Sequence, residues 1–220
     1  MDSGTYQSSK WGSIYFGVGS FVYYSRMKAL VFEPFSGASG DMILGSLVDL
    51  GVQESKIGDA IAVFDLELEV KEVKKRGIVA KKVEFKHEGK DYAASEGQVR
   101  SYKDIVRQIE QSGLSNEIIQ NSLNVFERIA TAEAKVHGEQ KEKVPFHELG
   151  ALDTMGDVVG SVVALLDLHP DIILSTPISV GSGFVEAEHG LLPVPAPATV
   201  EILKHTSLLY QGGPIASASE

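Results

Sequence analysis

The side chains able to do chemistry gather in two short stretches of this sequence. FHELGALDTMGD (residues 146–157) carries His147, Glu148, Asp153 and Asp157. GSGFVEAEHG (residues 181–190) carries Glu186, Glu188 and His189 among glycines. Imidazole nitrogens and carboxylate oxygens can hold a divalent cation or move protons. On a helix advancing about 100° per residue, Leu152, Met155, Val159, Val162, Val163 and Leu166 share one apolar face. Asp153, Asp157, Gly160 and Ala164 fall on another sector, and the two carboxylates lie one turn apart. Gly150, Gly156 and Gly160 each cost a helix roughly 1 kcal/mol against alanine. That cost implies close approach by a backbone or a ligand. The plainer alternative is a helix start whose acidic residues favour the dipole and whose aspartates form a solvated face.

Three further pieces have chemical potential. SGASGD (residues 36–41) lies between a short apolar run and a helical pattern. Its Ser36, Gly37, Ser39, Gly40 and Asp41 can cradle a phosphate with backbone N–H groups at a helix start. They can equally form a tight turn capped by Ser39 or Asp41. The loop is neither a Walker A sequence nor GxGxxG. His137 follows Glu133 by four residues and so shares its helix face, as a ligand pair, an acid–base pair or a salt-bridged helix end. Gly181, Ser182 and Gly183 permit close backbone approach, and Pro193, Pro195 and Pro197 stiffen the segment that follows. His87, His169 and His205 have no partner pattern and read as structural or surface residues.

The elements that must position these groups follow from patterning. KALVFE (residues 28–33) reads as a buried strand, and Asp41 to Leu50 as a helix ended by Gly51. A short helix spans roughly Glu54 to Val63. Alternation at Leu66, Leu68 and Val70, and again at Val83, Phe85 and His87, marks two strands joined near Gly77. Residues 88–100 read as a polar, mobile loop. Ser101 and Asp104 form a capping box. Ser115 caps a longer helix with a stripe of Ile118, Val125, Ile129, Ala132 and Val136, ended by Gly138. A helix from about His147 to Leu168, a strand at 171–177 and a helix at 198–204 complete the order. The fold class is α/β or α+β, a mixed sheet covered by helices in a single main domain.

Composition narrows the chemistry. The chain has 220 residues and no cysteine, so thiolate ligands, disulfides and cysteine nucleophiles are excluded. Its net charge of −10 lacks the footprint of a general nucleic-acid binder. The apolar stretch Ile14–Tyr24 is too short to span a bilayer. Residues 1–26 are expected to be an extension or mis-assigned start, residues 27–215 the main domain and residues 216–220 a truncated tail. A cytoplasmic protein without membrane or nucleic-acid partners is expected.

Several motifs in order carry a family resemblance: FSGASGDM (35–42), AEAKVHG (132–138), FHELGALD (146–153), VGSGFV (180–185) and HGLLPVPAPAT (189–199). Together they resemble the LarC family, the nickel insertion proteins of nickel-pincer cofactor biosynthesis. The resemblance implies insertion of nickel into pyridinium-3,5-bisthiocarboxylic acid mononucleotide. This is a CTP-dependent cyclometallation supported by Mn or Mg, the work of a nickel chelatase or cyclometallase of the lyase class. Such an organic substrate brings its own sulfurs, which suits a chain holding nickel reversibly through imidazole and carboxylate. His147, Glu148 and Asp153 are then the expected catalytic residues, with His147, Asp157, His189 and His137 as metal ligands. Residues 36, 37, 39–41 and 181–183 are expected to bind the mononucleotide. Family members run on into a C-terminal region that is associated with CTP use, so a separate C-terminal half is an expected partner, and a homo-oligomer a possible state. Two other readings of the residues are a non-catalytic nickel-delivery module and a metal-dependent phosphohydrolase.

Overall fold

Backbone punctuation sets most element ends in the computed structural model, which describes residues 27–75, 77–87, 90–91, 100–146, 152–187 and 190–213. Strand β1 (Ala29–Phe32) leads through the glycine-rich loop into helix α1 (Gly40–Asp49). Gly51 follows with φ +104°, a left-handed conformation suited to glycine. Helix α2 (Glu54–Ile61) then tightens into a 3-10 turn at Ala62–Phe64. Strands β2 (Leu66–Lys75) and β3 (Ile78–His87) form the expected antiparallel hairpin, pairing Leu66 with His87 and Lys75 with Ile78. The short strand β4 (Lys90–Asp91) adds to β3; most of the expected loop at 88–100 lies outside the described residues.

Strand β5 (Arg100–Ser101) opens helix α3 (Tyr102–Glu110), where the capping box between Ser101 and Asp104 is formed in both directions. Helix α4 (Asn116–His137) is capped by Ser115, whose side chain accepts from the Ile118 N–H, and ends at Gly138 with φ +67°. Its apolar stripe differs from the sequence expectation. Val125 and Val136 are exposed, while Ser122, Phe126 and Ala130 are fully buried. Spaced four apart, these three form a continuous ridge, with the Phe126 ring as its largest buried body.

Strand β6 (Pro145–Phe146) pairs with β5. Helix α5 (Leu152–Leu168) begins at the edge of the described residues, so the expected start at His147 lies outside them. Of its predicted core residues, Leu152, Met155, Val159, Val162 and Val163 are buried, while Leu166 is only half-buried. Beyond it, β7 (Ile172–Ser175) runs parallel to β1, with Leu30 opposite Ile173. Four short strand segments lie in the tail that the sequence marks only as loop-rich. β8 (Ile178–Ser179) runs parallel to β11 (Tyr210–Gln211), and β9 (Phe184–Ala187) with β10 (Gly190–Pro193) makes a hairpin. Helix α6 (Pro197–Lys204) docks on α4. The fold is α/β with parallel and antiparallel strands in several small sheets. The core lies between α1, α2, α3, α4, α5 and the β2–β3 hairpin.

Candidate functional site

The Gly/Ser loop and the aspartate-bearing helix meet. Gly40 opens α1 and Asp157 lies on α5, yet a Cβ on Gly40 would overlap the Asp157 carboxylate. Only glycine lets the α1 start settle there. Asp157 is therefore not on a solvated face. Its sector of α5 turns towards α1 and α2: Gly160 fits against Leu44 and Ile57, and Ala164 is fully buried. Gly156 has a different cause, since a Cβ there would stand 2.8 Å from the Phe85 ring of β3. Packing by side chains accounts for Gly156 and Gly160, where the sequence suggested a backbone or a ligand; Gly150 lies outside the described residues.

Asp157 is electrostatically unusual. Burial pushes its carboxyl up to about 7, and the negative charges of Asp41 and then Asp153 add to the effect. Its Oδ1 is buried with no hydrogen-bond partner among the described residues. Ser39 holds the N-cap position of α1, but its side chain makes no cap hydrogen bond to the helix backbone. Its hydroxyl instead donates to the Asp41 carboxylate. The first-turn N–H groups of α1 therefore receive no cap bond from Ser39. Asp153 accepts from the N–H of Thr154 at 2.8 Å, the local bond expected of an aspartate in a first turn.

The strand that precedes the second predicted stretch is hydrogen-bonded to the same loop. The Pro34 carbonyl accepts from Gly37 N–H at 3.2 Å and from Ser179 N–H at 3.1 Å. This ties the loop to the strand that leads into Gly181, Ser182 and Gly183. Gly37, Gly181 and Gly183 all have positive φ, so the turns on both sides depend on glycine. Gly181 is buried, whereas Ser182 and Gly183 are exposed. The junction lies beyond the C-terminal ends of the parallel strands β1 and β7, the usual place for ligands on such sheets.

The structure therefore joins Gly40 and Asp41 to Asp157 and Asp153, and the Pro34–Gly37 turn to Ser179 just before the 181–183 segment. His137 sits at the end of α4 with its Nε2 3.4 Å from the Glu133 carboxylate, the spacing read from the sequence. His147, Glu148, Glu188 and His189 lie outside the described residues. Among the described residues, no group of three or more His, Asp or Glu side chains is assembled as a metal centre. His205 bonds Glu201 at 3.1 Å and His87 bonds the Asp65 carbonyl at 2.9 Å, in keeping with structural roles. Sequence reasoning missed the polar cluster of Glu201, which is buried and contacted by Lys135, Lys204 and His205. Glu201 and His205 share a helix face by spacing, but Lys135 comes from α4 and gives no local signal. Among the described residues, no helix is long and apolar enough to cross a membrane.

The chain is an α/β protein whose glycine-rich strand-to-helix loop is seated on a buried carboxylate. The comparisons specify its kind: the family described as nickel insertion protein matches residues 30–219, and the chain belongs to that family. The pyridinium-3,5-bisthiocarboxylic acid mononucleotide nickel insertion protein of Geobacillus kaustophilus is 43% identical over 198 residues, covering 87% of this chain and 46% of the relative. The protein of the same name from Clostridium kluyveri is 40% identical over 189 residues, covering 81% and 47%. A Methanosarcina mazei protein named for nickel insertion is 43% identical over 189 residues, covering 85% and 46%. The chain thus spans about half the length of the curated relatives it matches. No solved structure matches it significantly.

Proposed function

We propose that this chain takes part in inserting nickel into pyridinium-3,5-bisthiocarboxylic acid mononucleotide, as the names of its relatives describe. The observation that carries the reading is the contact of Gly40 with Asp157, which brings a phosphate-type loop and a partly protonated, buried carboxylate to one place. The mononucleotide phosphate sits on Ser36, Gly37, Ser39 and Gly40, with Gly181, Ser182 and Gly183 closing the other side. Asp157 and Asp41 face the incoming cation, which replaces the proton on Asp157. His147, His189 and His137 complete the nickel path with neutral imidazole nitrogens.

Forming a nickel–carbon bond releases the ring proton, and His147, Glu148 and Asp153 are the proposed bases. The substrate supplies both sulfurs, in accord with a chain that has no cysteine. CTP and Mn or Mg act with the polypeptide that corresponds to the rest of the relatives' length, and the reaction, of lyase type, takes place in the cytoplasm.

The test is reconstitution. The chain is incubated with Ni²⁺, CTP, Mn²⁺ and the dithiocarboxylate mononucleotide, with and without the remaining half of the Geobacillus relative, and product absorbance is followed. Turnover that needs both pieces and falls with Asp157→Asn supports the proposal. No turnover with both pieces overturns it. Phosphate release from simple nucleotides, with no nickel product, would favour a phosphohydrolase instead.

A further inference from the structure

We infer that the outer face of the β1–β7 sheet is a docking surface for the polypeptide that makes up the other half of the curated relatives. Parallel strands are ordinarily covered on both faces, and a two-stranded sheet does not stand alone in water. Here the inner face is served by Leu30, which is buried in the core. In the parallel register Ala29 stands beside Ile172 and Val31 beside Leu174, which puts these four residues on the opposite face. All four are apolar and exposed: Val31 by 52%, Leu174 by 47% and Ile172 by 39%. Even Ile173, opposite Leu30, is 51% exposed, so β7 overhangs the core. Among the described residues β7 pairs with β1 alone, which leaves its far edge free to accept another strand.

The occupant follows from length. The family match begins at residue 30, inside β1, so the sheet belongs to the shared region. The relatives carry as much chain again beyond that region, since it covers only 46–47% of them. A polypeptide of that size can supply both the missing cover and an added strand. The sheet's loops at Glu33–Ser39 and after Ser175 lead directly to the candidate site, so a body docked here stands beside it. The inference rests on the family reading above, but its test reads association and not turnover.

The chain is titrated with the remaining half of the Geobacillus kaustophilus relative and the complex is followed by sedimentation. A one-to-one complex is expected. Val31→Lys and Leu174→Lys should each weaken it at least tenfold, and Ile78→Lys, on the exposed hairpin tip, should leave it unchanged. Equal affinity for all variants, no complex, or self-association of the chain that these variants abolish would overturn the inference. Should either lysine variant fail to fold by circular dichroism, hydrogen exchange decides. In the intact Geobacillus protein, the strand corresponding to β7 should exchange at least tenfold more slowly than in its matched half alone. Equal exchange overturns the inference. A chain that docks but inserts no nickel counts only against the functional proposal.

Discussion

Gly40 and Asp157 are 117 positions apart in the chain, yet the α-carbon of one lies against the carboxylate of the other. The contact makes position 40 intolerant of any side chain. Gly40→Ala should destabilise the fold by about 1–3 kcal/mol, the usual cost of forcing extra atoms into a packed site. Gly58 is a fitting control, because it lies within α2 and a Cβ there meets nothing within 4 Å. Gly58→Ala should stabilise by roughly 0.5–1 kcal/mol. Urea denaturation of both variants checks the pair. Equal effects of one sign would contradict the packing.

Asp157 makes stability depend on pH in an unusual direction. Its carboxyl is held up to about 7, well above its ordinary value of 3.8. Between those values the folded chain binds more protons than the unfolded one, so stability falls as pH rises. The contribution is full below about pH 4 and is lost as pH passes through 7. Asp157→Asn should remove this slope. With divalent cations chelated, it should melt higher than wild type at pH 8, by on the order of a few kcal/mol at about 1.4 kcal/mol per unit. Melting curves from pH 4 to 8 test this, and parallel profiles for the two proteins would contradict it.

Gly156 faces an aromatic wall, with the Phe85 ring 2.8 Å from where a Cβ would stand. Gly156→Ala should therefore cost about 1–3 kcal/mol. Trimming the wall with Phe85→Leu should make the glycine substitution less costly, and a double-mutant cycle measures that coupling. Additive effects would show that the ring is not the obstacle.

Glu201 works in the opposite pH direction. Lys135, then Lys204, and also His205 hold its carboxyl down to about 2. Its stabilising effect is present above the ordinary glutamate value and is lost as pH falls towards 2. Glu201→Gln should lower the melting temperature at pH 7, with the difference shrinking as pH drops from 5 to 2. A gap that persists at pH 2 would mean the cations are not its source.

Local signals in the sequence carried much of this far. The capping box at Ser101 and Asp104, and the glycines at 51, 77 and 138, mark ends that backbone geometry enforces whatever the tertiary context. Helical arithmetic placed Asp153 and Asp157 on one side of α5 and away from Met155 and Val159. It could not say what that side faces, because α1 and α2 bring Leu44 and Ile57 there from over a hundred residues away. The same limit hid the cause of Gly156 and the Lys135–Glu201 link. Short strands such as β8 and β11 pair two residues across thirty intervening positions and leave no periodicity to read. On α4, several apolar residues competed for one stripe, and only packing selected Phe126 over Val125.

The central claim is that Asp157, beneath the Gly40 loop, receives the cation. The most direct measurement is calorimetric titration of Ni²⁺ into wild type, Asp157→Asn and Asp41→Asn at pH 7.5, with folding verified by circular dichroism. Wild type should bind with proton release, seen as a heat that varies with buffer ionisation, since nickel displaces the proton Asp157 partly retains. Asp157→Asn should bind at least tenfold more weakly and lose that proton release, and Asp41→Asn should bind more weakly while keeping some of it. Unchanged affinity and unchanged proton release in Asp157→Asn would contradict the account.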